Sequence, residues 1–209
     1  NTGEPIADMA TMAGYDKYPV WSPDDRQIAF LSQRRAGNES DKARLFLYDC
    51  QTAQMQDLTE DFDYNAMNVV WSGSDMLYFI APIEATHQIC RIAPSVGEVE
   101  VVTRGDHDIN AFSMAGDRIA AEMCTISMGT EFFDVNPADG TLTQISAINK
   151  PVYDNIRMGE VQKRWVRTTD GKQMLTWVIL PPDFDPAKKY PTLLYCQGGP
   201  QSVVSQFWS

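Results

Sequence analysis

The sequence predicts a mainly β chain: a partial β-propeller of about three four-stranded blades, followed by the opening strands of an α/β sheet. Three observations carry this reading: a strand pattern that recurs three times, the length of its period, and an abrupt change of character after residue 147.

The pattern comes first. Val20-Trp21-Ser22, Val70-Trp71-Ser72 and Ala111-Phe112-Ser113 are each followed by an apolar run: Gln27-Ile28-Ala29-Phe30, Met76-Leu77-Tyr78-Phe79 and Arg118-Ile119-Ala120-Ala121. Between them lie the polar links Pro23-Asp24-Asp25-Arg26, Gly73-Ser74-Asp75 and Met114-Ala115-Gly116-Asp117. Aromatic and β-branched residues suit strands, whereas Asp and Gly tolerate the backbone angles of tight turns. A third apolar run follows in each unit (Leu45-Phe46-Leu47-Tyr48, Gln88 to Ile92, Phe132 to Val135), and a fourth ends in Leu58-Thr59, Val102-Thr103 or Ile145-Ser146. Positions 59, 103 and 146 repeat every 43–44 residues, and four short strands in about 40–45 residues make a propeller blade. A sandwich of unrelated hairpins explains the strands but not the repeated aromatic-Ser position. Three blades do not close a ring, so the sequence reads as part of a longer protein. Its start, Asn1-Thr2-Gly3-Glu4, lacks an initiator Met and an apolar signal core, which suggests either a removed targeting segment or a start inside a longer chain.

After Ala147 the spacing breaks. Residues 1–147 read as the C-terminal blades, 148–158 as a linker that includes Asn149-Lys150-Pro151, and 159–209 as the N-terminal part of a second domain. Val161–Arg167, the turn Thr169-Asp170-Gly171 and Met174–Leu180 read as a hairpin. Tyr190–Cys196 is almost wholly apolar, which predicts a strand buried on both faces within an α/β sheet. The aromatics Trp165, Trp177, Phe207 and Trp208 are expected in the core, although Phe207-Trp208 at the chain end would form an adhesive apolar patch if left uncovered.

Composition narrows the functional classes. A formal net charge of −11, from 28 acidic and 17 basic residues, repels phosphate backbones and argues against nucleic acid as a partner. No apolar run reaches the ~18 residues of a membrane span. Cys50, Cys90, Cys124 and Cys196 are far apart, each in or beside an apolar run, and are expected as buried free thiols. His87 and His107 are the only histidines, too few to support zinc. Asp106-His107-Asp108 lies between blades two and three, and Asp108-Ile109-Asn110-Ala111 echoes Asp63-Tyr64-Asn65-Ala66, which suggests a turn requirement. Asp134 to Gly140 is rich in oxygen ligands but lacks the bidentate Glu of a calcium loop, so it reads as a strand-connecting turn. No metal or cofactor is expected.

The order of elements then becomes recognisable. A propeller, the hairpin segments Trp165-Val166-Arg167-Thr168-Thr169-Asp170-Gly171 and Trp177-Val178-Ile179-Leu180-Pro181-Pro182, then Tyr190-Pro191-Thr192-Leu193-Leu194-Tyr195 and Gly198-Gly199-Pro200, resemble the prolyl oligopeptidase family of serine peptidases along essentially the whole chain. Within it the sequence looks closest to the bacterial dipeptidyl and acylaminoacyl peptidases, which follow the propeller with an α/β-hydrolase domain. The resemblance implies Ser-His-Asp catalysis, with the nucleophile on a Gly-x-Ser-x-Gly elbow. No such elbow occurs in these 209 residues, so no residue inherits a triad role; the triad is expected beyond Ser209 and this chain alone is expected to be inactive. What carries over is the loop Gln197-Gly198-Gly199. In the family the residue before the Gly-Gly pair, often Tyr or His, lines the oxyanion hole. Here it is Gln197, whose amide donates without ionising, and a backbone N–H of the same loop is the alternative donor. The resemblance also implies short peptide substrates, and suggests the periplasm of a Gram-negative bacterium; it leaves the oligomeric state open.

Blade one is the longest, with 50 residues from Trp21 to Trp71 against 41 from Trp71 to Phe112, and the excess lies in the charged loop from Ser32 to Lys42. Strand polarity puts this loop on the face from which the chain leaves for its second part. A dipeptidyl peptidase must hold a free α-amine, which a carboxylate does best. Glu39 is the first candidate and Asp41 the second, set against the plain alternative of a solvated loop. The rival of another class is a non-catalytic propeller that captures peptides or proteins, with residues 150–209 as a docking arm; it does not explain the apolar run at Leu193-Leu194-Tyr195.

Overall fold

The computed structural model describes residues 12–199 and 202–209, so Pro200 and the first part of the expected propeller segment lie outside the described residues. Twelve strands form three four-stranded units in sequence order. The first contains β1 (Asp16–Trp21), β2 (Gln27–Ser32), β3 (Arg44–Asp49) and β4 (Met55–Asp57). The second contains β5 (Met67–Ser72), β6 (Met76–Ile83), β7 (Thr86–Ile92) and β8 (Val99–Val101), and the third β9 (Asp108–Ala115), β10 (Arg118–Thr125), β11 (Met128–Val135) and β12 (Leu142–Gln144). Every strand pairs antiparallel with its sequence neighbour within its unit, and a single parallel bridge, His87 to Asp108, joins units two and three. These are the three predicted blades.

Why the blades stack is visible in β6. Its alternate residues serve two cores: Leu77, Phe79 and Ala81 pack with Leu45, Leu47 and Trp71 between blades one and two, while Tyr78 and Ile80 pack with Phe112, Ile119 and Phe133 between blades two and three. Side chains alternate across a sheet, so a strand covered on both sides reads as an unbroken apolar run. The repeated aromatic reaches back to the preceding blade: Trp71 is buried and its Nε1–H donates to Val20 O of β1 at 3.2 Å. Trp21, at the same place in blade one, is half-exposed because no neighbouring blade on that side is among the described residues.

The recurring Thr or Ser after each fourth strand has a physical reason. Its hydroxyl accepts an N–H of the third strand: Leu45 N to Thr59 Oγ1 at 2.8 Å, Ile89 N to Thr103 Oγ1 at 2.9 Å and Phe132 N to Ser146 Oγ at 2.8 Å. The turns repeat as well. Ala53, Gly97 and Gly140 all have positive φ (57°, 77° and 74°) two residues before the fourth strand, each donating its N–H to the carbonyl four residues back. The oxygen-rich stretch ending at Gly140 is therefore the strand-connecting turn read from the sequence.

Beyond the blades, a short helix α1 (Lys150–Tyr153) precedes the hairpin β13 (Val161–Arg167) and β14 (Gln173–Ile179), paired in full register. Several expectations fail here. Tyr190–Cys196 is extended but pairs with no described strand, and Leu193, Leu194 and Tyr195 are 97%, 85% and 70% exposed rather than buried on both faces. Trp165 is likewise exposed, since the hairpin is a two-stranded sheet with little to cover it, and Phe207 and Trp208 are exposed as well. Trp177 is half-buried and donates to Val204 O at 3.1 Å. All four cysteines are free thiols, but only Cys90 and Cys124 are buried; Cys50 sits in a turn and Cys196 in the unpaired segment, both exposed. Burial pushes the Cys90 thiol up to about 12, so it is inert as a nucleophile at neutral pH.

Candidate functional site

The links between second and third strands, together with the connections from blade to blade, lie on one face of the propeller, and residues 146–149, Tyr153, Lys163, Ser205 and Gln206 attach to the blades on that side. The β6–β7 link contributes Glu84, whose carboxylate accepts from Lys163 Nζ of β13 at 2.8 Å. Glu84 and Ala85 both have positive φ (46° and 57°), the conformation of a tight two-residue hairpin turn adopted here without glycine. The β10–β11 link contributes Ile126, whose N–H donates to Gln206 Oε1 at 3.2 Å. Gly129 N–H, in β11, donates to the Tyr153 hydroxyl, and the Tyr153 ring meets Trp208 edge-on at 5.7 Å.

Two buried carboxylates complete this attachment. Glu131 in β11 accepts from the Ser146 hydroxyl, from Ile148 N at 3.0 Å, from Asn149 N at 2.7 Å and from Asn149 Nδ2 at 3.0 Å. The bond from Ser146, then those from Asn149 and Ile148, hold its carboxyl below the usual value despite burial. It therefore fixes the chain where it leaves the last blade. Blade two has the neutral Gln88 at the same place, accepting from the Thr103 hydroxyl at 2.8 Å. Asp108, first residue of β9 and 1% exposed, accepts from Ser205 Oγ at 2.6 Å and from His87 N at 3.0 Å, with His87 Nδ1 3.2 Å away. Burial raises its pKa, but the bonds from His87 and Ser205 outweigh this and leave it below the usual carboxylate value.

The sequence reading of Asp108 needs correction on this point. Asp63 is exposed in the connection before β5, whereas Asp108 is a buried strand residue, so the two Asp-x-Asn-Ala stretches are not equivalent turns. Neighbouring His107 is buried, and burial lowers its pKa below the usual value, which favours the neutral ring.

The loop proposed for the oxyanion hole is exposed. Gln197 Oε1 accepts from the Tyr195 hydroxyl at 3.4 Å, which leaves its NH2 group to donate elsewhere. Gly198 O accepts from Ser202 Oγ at 2.6 Å. At Gly199 a Cβ would stand 2.8 Å from Ser202 Oγ and 2.9 Å from its N, so glycine is required where the chain folds back; at Gly198 a Cβ would meet open space.

The loop from Ser32 to Lys42 is internally braced. Asp41 accepts from Arg35 N at 2.7 Å, from the Arg35 guanidinium and from Asn38 Nδ2 at 2.9 Å. The Arg35 guanidinium beside it holds its carboxyl below the usual value. Gln33 Nε2 donates to Asp41 O at 2.8 Å and Glu39 O at 3.3 Å. Lys42 Nζ donates to the carbonyls of Thr59, Glu60 and Phe62 at 2.9, 2.9 and 2.6 Å, tying the loop to the next connection. Asp41 is thus occupied within the loop. The Glu39 carboxylate is exposed and has no hydrogen bond or ion pair among the described residues. The structure groups Glu39 with Asp41 on one loop and Gln197 with Gly198 and Gly199 on another, with no hydrogen bond or ion pair between the two among the described residues. Asp108, Glu131 and Ser205 were not foreseen as site residues; the one available signal was the excess of polar residues in strand positions at 108 and 131.

A stack of four-stranded blades whose one face is bonded to the hairpin and to Ser205 and Gln206 is a propeller fold carrying the start of a second unit, and the proteins it is similar to support a likeness to the prolyl oligopeptidase family. No family model matches it. Among curated proteins it is similar to dipeptidyl-peptidase 5 of Porphyromonas gingivalis, 44% identical over 199 residues, which is 95% of this chain and 29% of that protein. The corresponding protein of Porphyromonas endodontalis is 39% identical over the same shares. Among solved structures, Pyrococcus horikoshii acylaminoacyl peptidase superposes with a TM-score of 0.74 over 92% of this chain and 29% of that one, at 20% identity, a likeness of fold. The chain thus spans 29% of the length of these curated relatives.

Proposed function

We propose that the full-length protein is a serine exopeptidase that releases dipeptides from the free N-terminus of short peptides, with the propeller restricting access by large folded proteins. The observation that carries this is the bonded face: the links that attach to residues 145–209 share it with the braced loop that presents Glu39. Similarity to dipeptidyl-peptidase 5 of Porphyromonas gingivalis supports the two-residue product. In this reading residues 1–147 are blades, 148–158 a linker and 159–209 the first part of the hydrolase domain. Gln197, Gly198 and Gly199 form one wall of the oxyanion hole, in which a donor aimed at the developing charge stabilises the transition state by about 2.7–4 kcal/mol. Glu39 receives the substrate α-amine, and Asp41 braces the loop that carries it. The 209-residue chain alone lacks the nucleophile elbow and is inactive.

The test uses a fluorogenic dipeptide amide with its N-terminus free or acetylated. The full-length wild type should cleave the free form and spare the acetylated one. A charge-assisted hydrogen bond is worth about 1.5–3 kcal/mol, so Glu39→Gln should lower kcat/KM for the free form about 10- to 150-fold. An unchanged preference in Glu39→Gln removes Glu39 from the site. Preference of the wild type for the acetylated form identifies an acylaminoacyl peptidase instead.

A further inference from the structure

We propose that Asp108 of the propeller is a positioning residue for the Gln197-Gly198-Gly199 loop, acting through Ser205. This rests on the peptidase reading above. From Tyr190 to Gly199 the backbone makes no described backbone–backbone hydrogen bond, and Leu193 to Gly199 is exposed. What fixes the loop lies downstream. Ser202 Oγ turns the chain back onto Gly198 O at 2.6 Å, and Trp177 Nε1 of β14 holds Val204 O at 3.1 Å. Ser205 and Gln206 are then 3% and 2% exposed, the first deeply buried residues after the loop, and both are held by the propeller. Ser205 Oγ donates to Asp108 Oδ2 at 2.6 Å, and Gln206 Oε1 accepts from Ile126 N at 3.2 Å.

Asp108 is suited to this. Its second oxygen, Oδ1, accepts from His87 N at 3.0 Å and lies 3.2 Å from His87 Nδ1, so the carboxylate has one orientation. It stands where blades two and three meet in their single parallel bridge, His87 to Asp108. The propeller thus sets the place of a loop whose donors must meet a developing oxyanion, and a misplacement of about 1 Å at such a site costs about 100-fold in rate. The role differs from that of a plain structural staple in what it should affect. Loss of the link should lower kcat while leaving the ground-state contacts that set KM.

The experiment compares full-length wild type, Ser205→Ala, Asp108→Ala, Asp108→Asn and the double alanine variant. Ser205→Ala leaves the His87 bonds intact, so it is informative even if Asp108→Ala folds poorly. Expected are a fall in kcat of at least tenfold for Ser205→Ala with KM within about threefold, and no loss in the double variant beyond that of Asp108→Ala alone, because the two residues act as a unit. Asp108→Asn, which can accept from His87 and donate to Ser205, should recover most of the rate. Amide hydrogen exchange over residues 196–206 should accelerate in Ser205→Ala and not in Asp108→Asn. Unchanged exchange in Ser205→Ala, or faster exchange with unaltered kcat, overturns the proposal while leaving the peptidase reading in place. An inactive wild type overturns the peptidase reading and the catalytic role together, and exchange then decides whether Asp108 holds the loop at all.

Discussion

Replacing Thr103 with Val removes one oxygen and almost nothing else, yet it should loosen the middle blade more than the matching change at Thr59 loosens blade one. Thr103 is fully buried; its Oγ1 accepts from Ile89 N at 2.9 Å and donates to Gln88 Oε1 at 2.8 Å. In Thr103→Val both partners stay buried and lose that bond. An unsatisfied buried polar group costs about 1–3 kcal/mol, so the two together amount to about 2–4 kcal/mol once neighbours adjust. Thr59 makes only the equivalent bond, Leu45 N to Oγ1 at 2.8 Å, so Thr59→Val should cost about 1–3 kcal/mol. Hydrogen exchange of the peptide covering Thr86–Ile92 reads the local opening free energy. With tenfold per 1.4 kcal/mol, exchange there should accelerate about 30- to 700-fold in Thr103→Val. The peptide covering Arg44–Asp49 should respond to Thr59→Val and not to Thr103→Val. Equal, small effects from Thr103→Val and from a change at exposed Thr52 would refute the idea that these hydroxyls complete the blades.

Three further outcomes follow from the same structure. Gly140→Ala should destabilise the blade-three turn by more than ~1 kcal/mol, because φ is +74° and a Cβ would overlap the Val102 carbonyl oxygen, whereas Ala53→Gly at the matching turn should be neutral or stabilising by thermal unfolding. Glu131 titrates in the folded state below its ordinary 4.5, so the unfolded state takes up protons first as pH falls; its stabilisation is complete above about pH 4.5 and lost as pH drops through the folded value. The melting-temperature difference between wild type and Glu131→Gln should accordingly be largest near neutral pH and shrink below pH 4.5. Gln197→Ala should lower kcat of the full-length protein about 100-fold if the side chain is the oxyanion donor; an unaltered kcat would move that role to a backbone N–H of the loop.

The blades were legible because their information is local and repeated. Trp71, Phe112 and the turn residues mark one strand order three times, and the unbroken apolar run of β6 already announces burial on both faces. The hydroxyls at 59, 103 and 146 were visible as a repeat, but their role as acceptors requires knowing which N–H lies opposite. Asp108 was misread because its partner Ser205 is 97 residues away and no spacing rule links them. Glu131 looked like an ordinary polar strand position until Ile148 and Asn149 folded back onto it. The exposure of Trp165 and of Leu193 to Tyr195 could not be read from composition. An apolar strand announces that it needs cover, and only the fold shows whether the chain at hand supplies it. The candidate site was half legible: the Gly-Gly loop and the long charged loop stood out by type, whereas the exposed state of Glu39 and the engagement of Asp41 with Arg35 are matters of geometry.

Under the proposed function the full-length protein shortens peptides by two residues from a free N-terminus. The most direct test of this is mass spectrometry of an unstructured decapeptide incubated with that protein, alongside the same peptide acetylated and a folded protein of similar N-terminal sequence. Expected is a ladder of products shorter by two residues at each step from the free decapeptide, with the other two substrates untouched. Release of a single acetylated residue, or internal cuts with no N-terminal ladder, would contradict it.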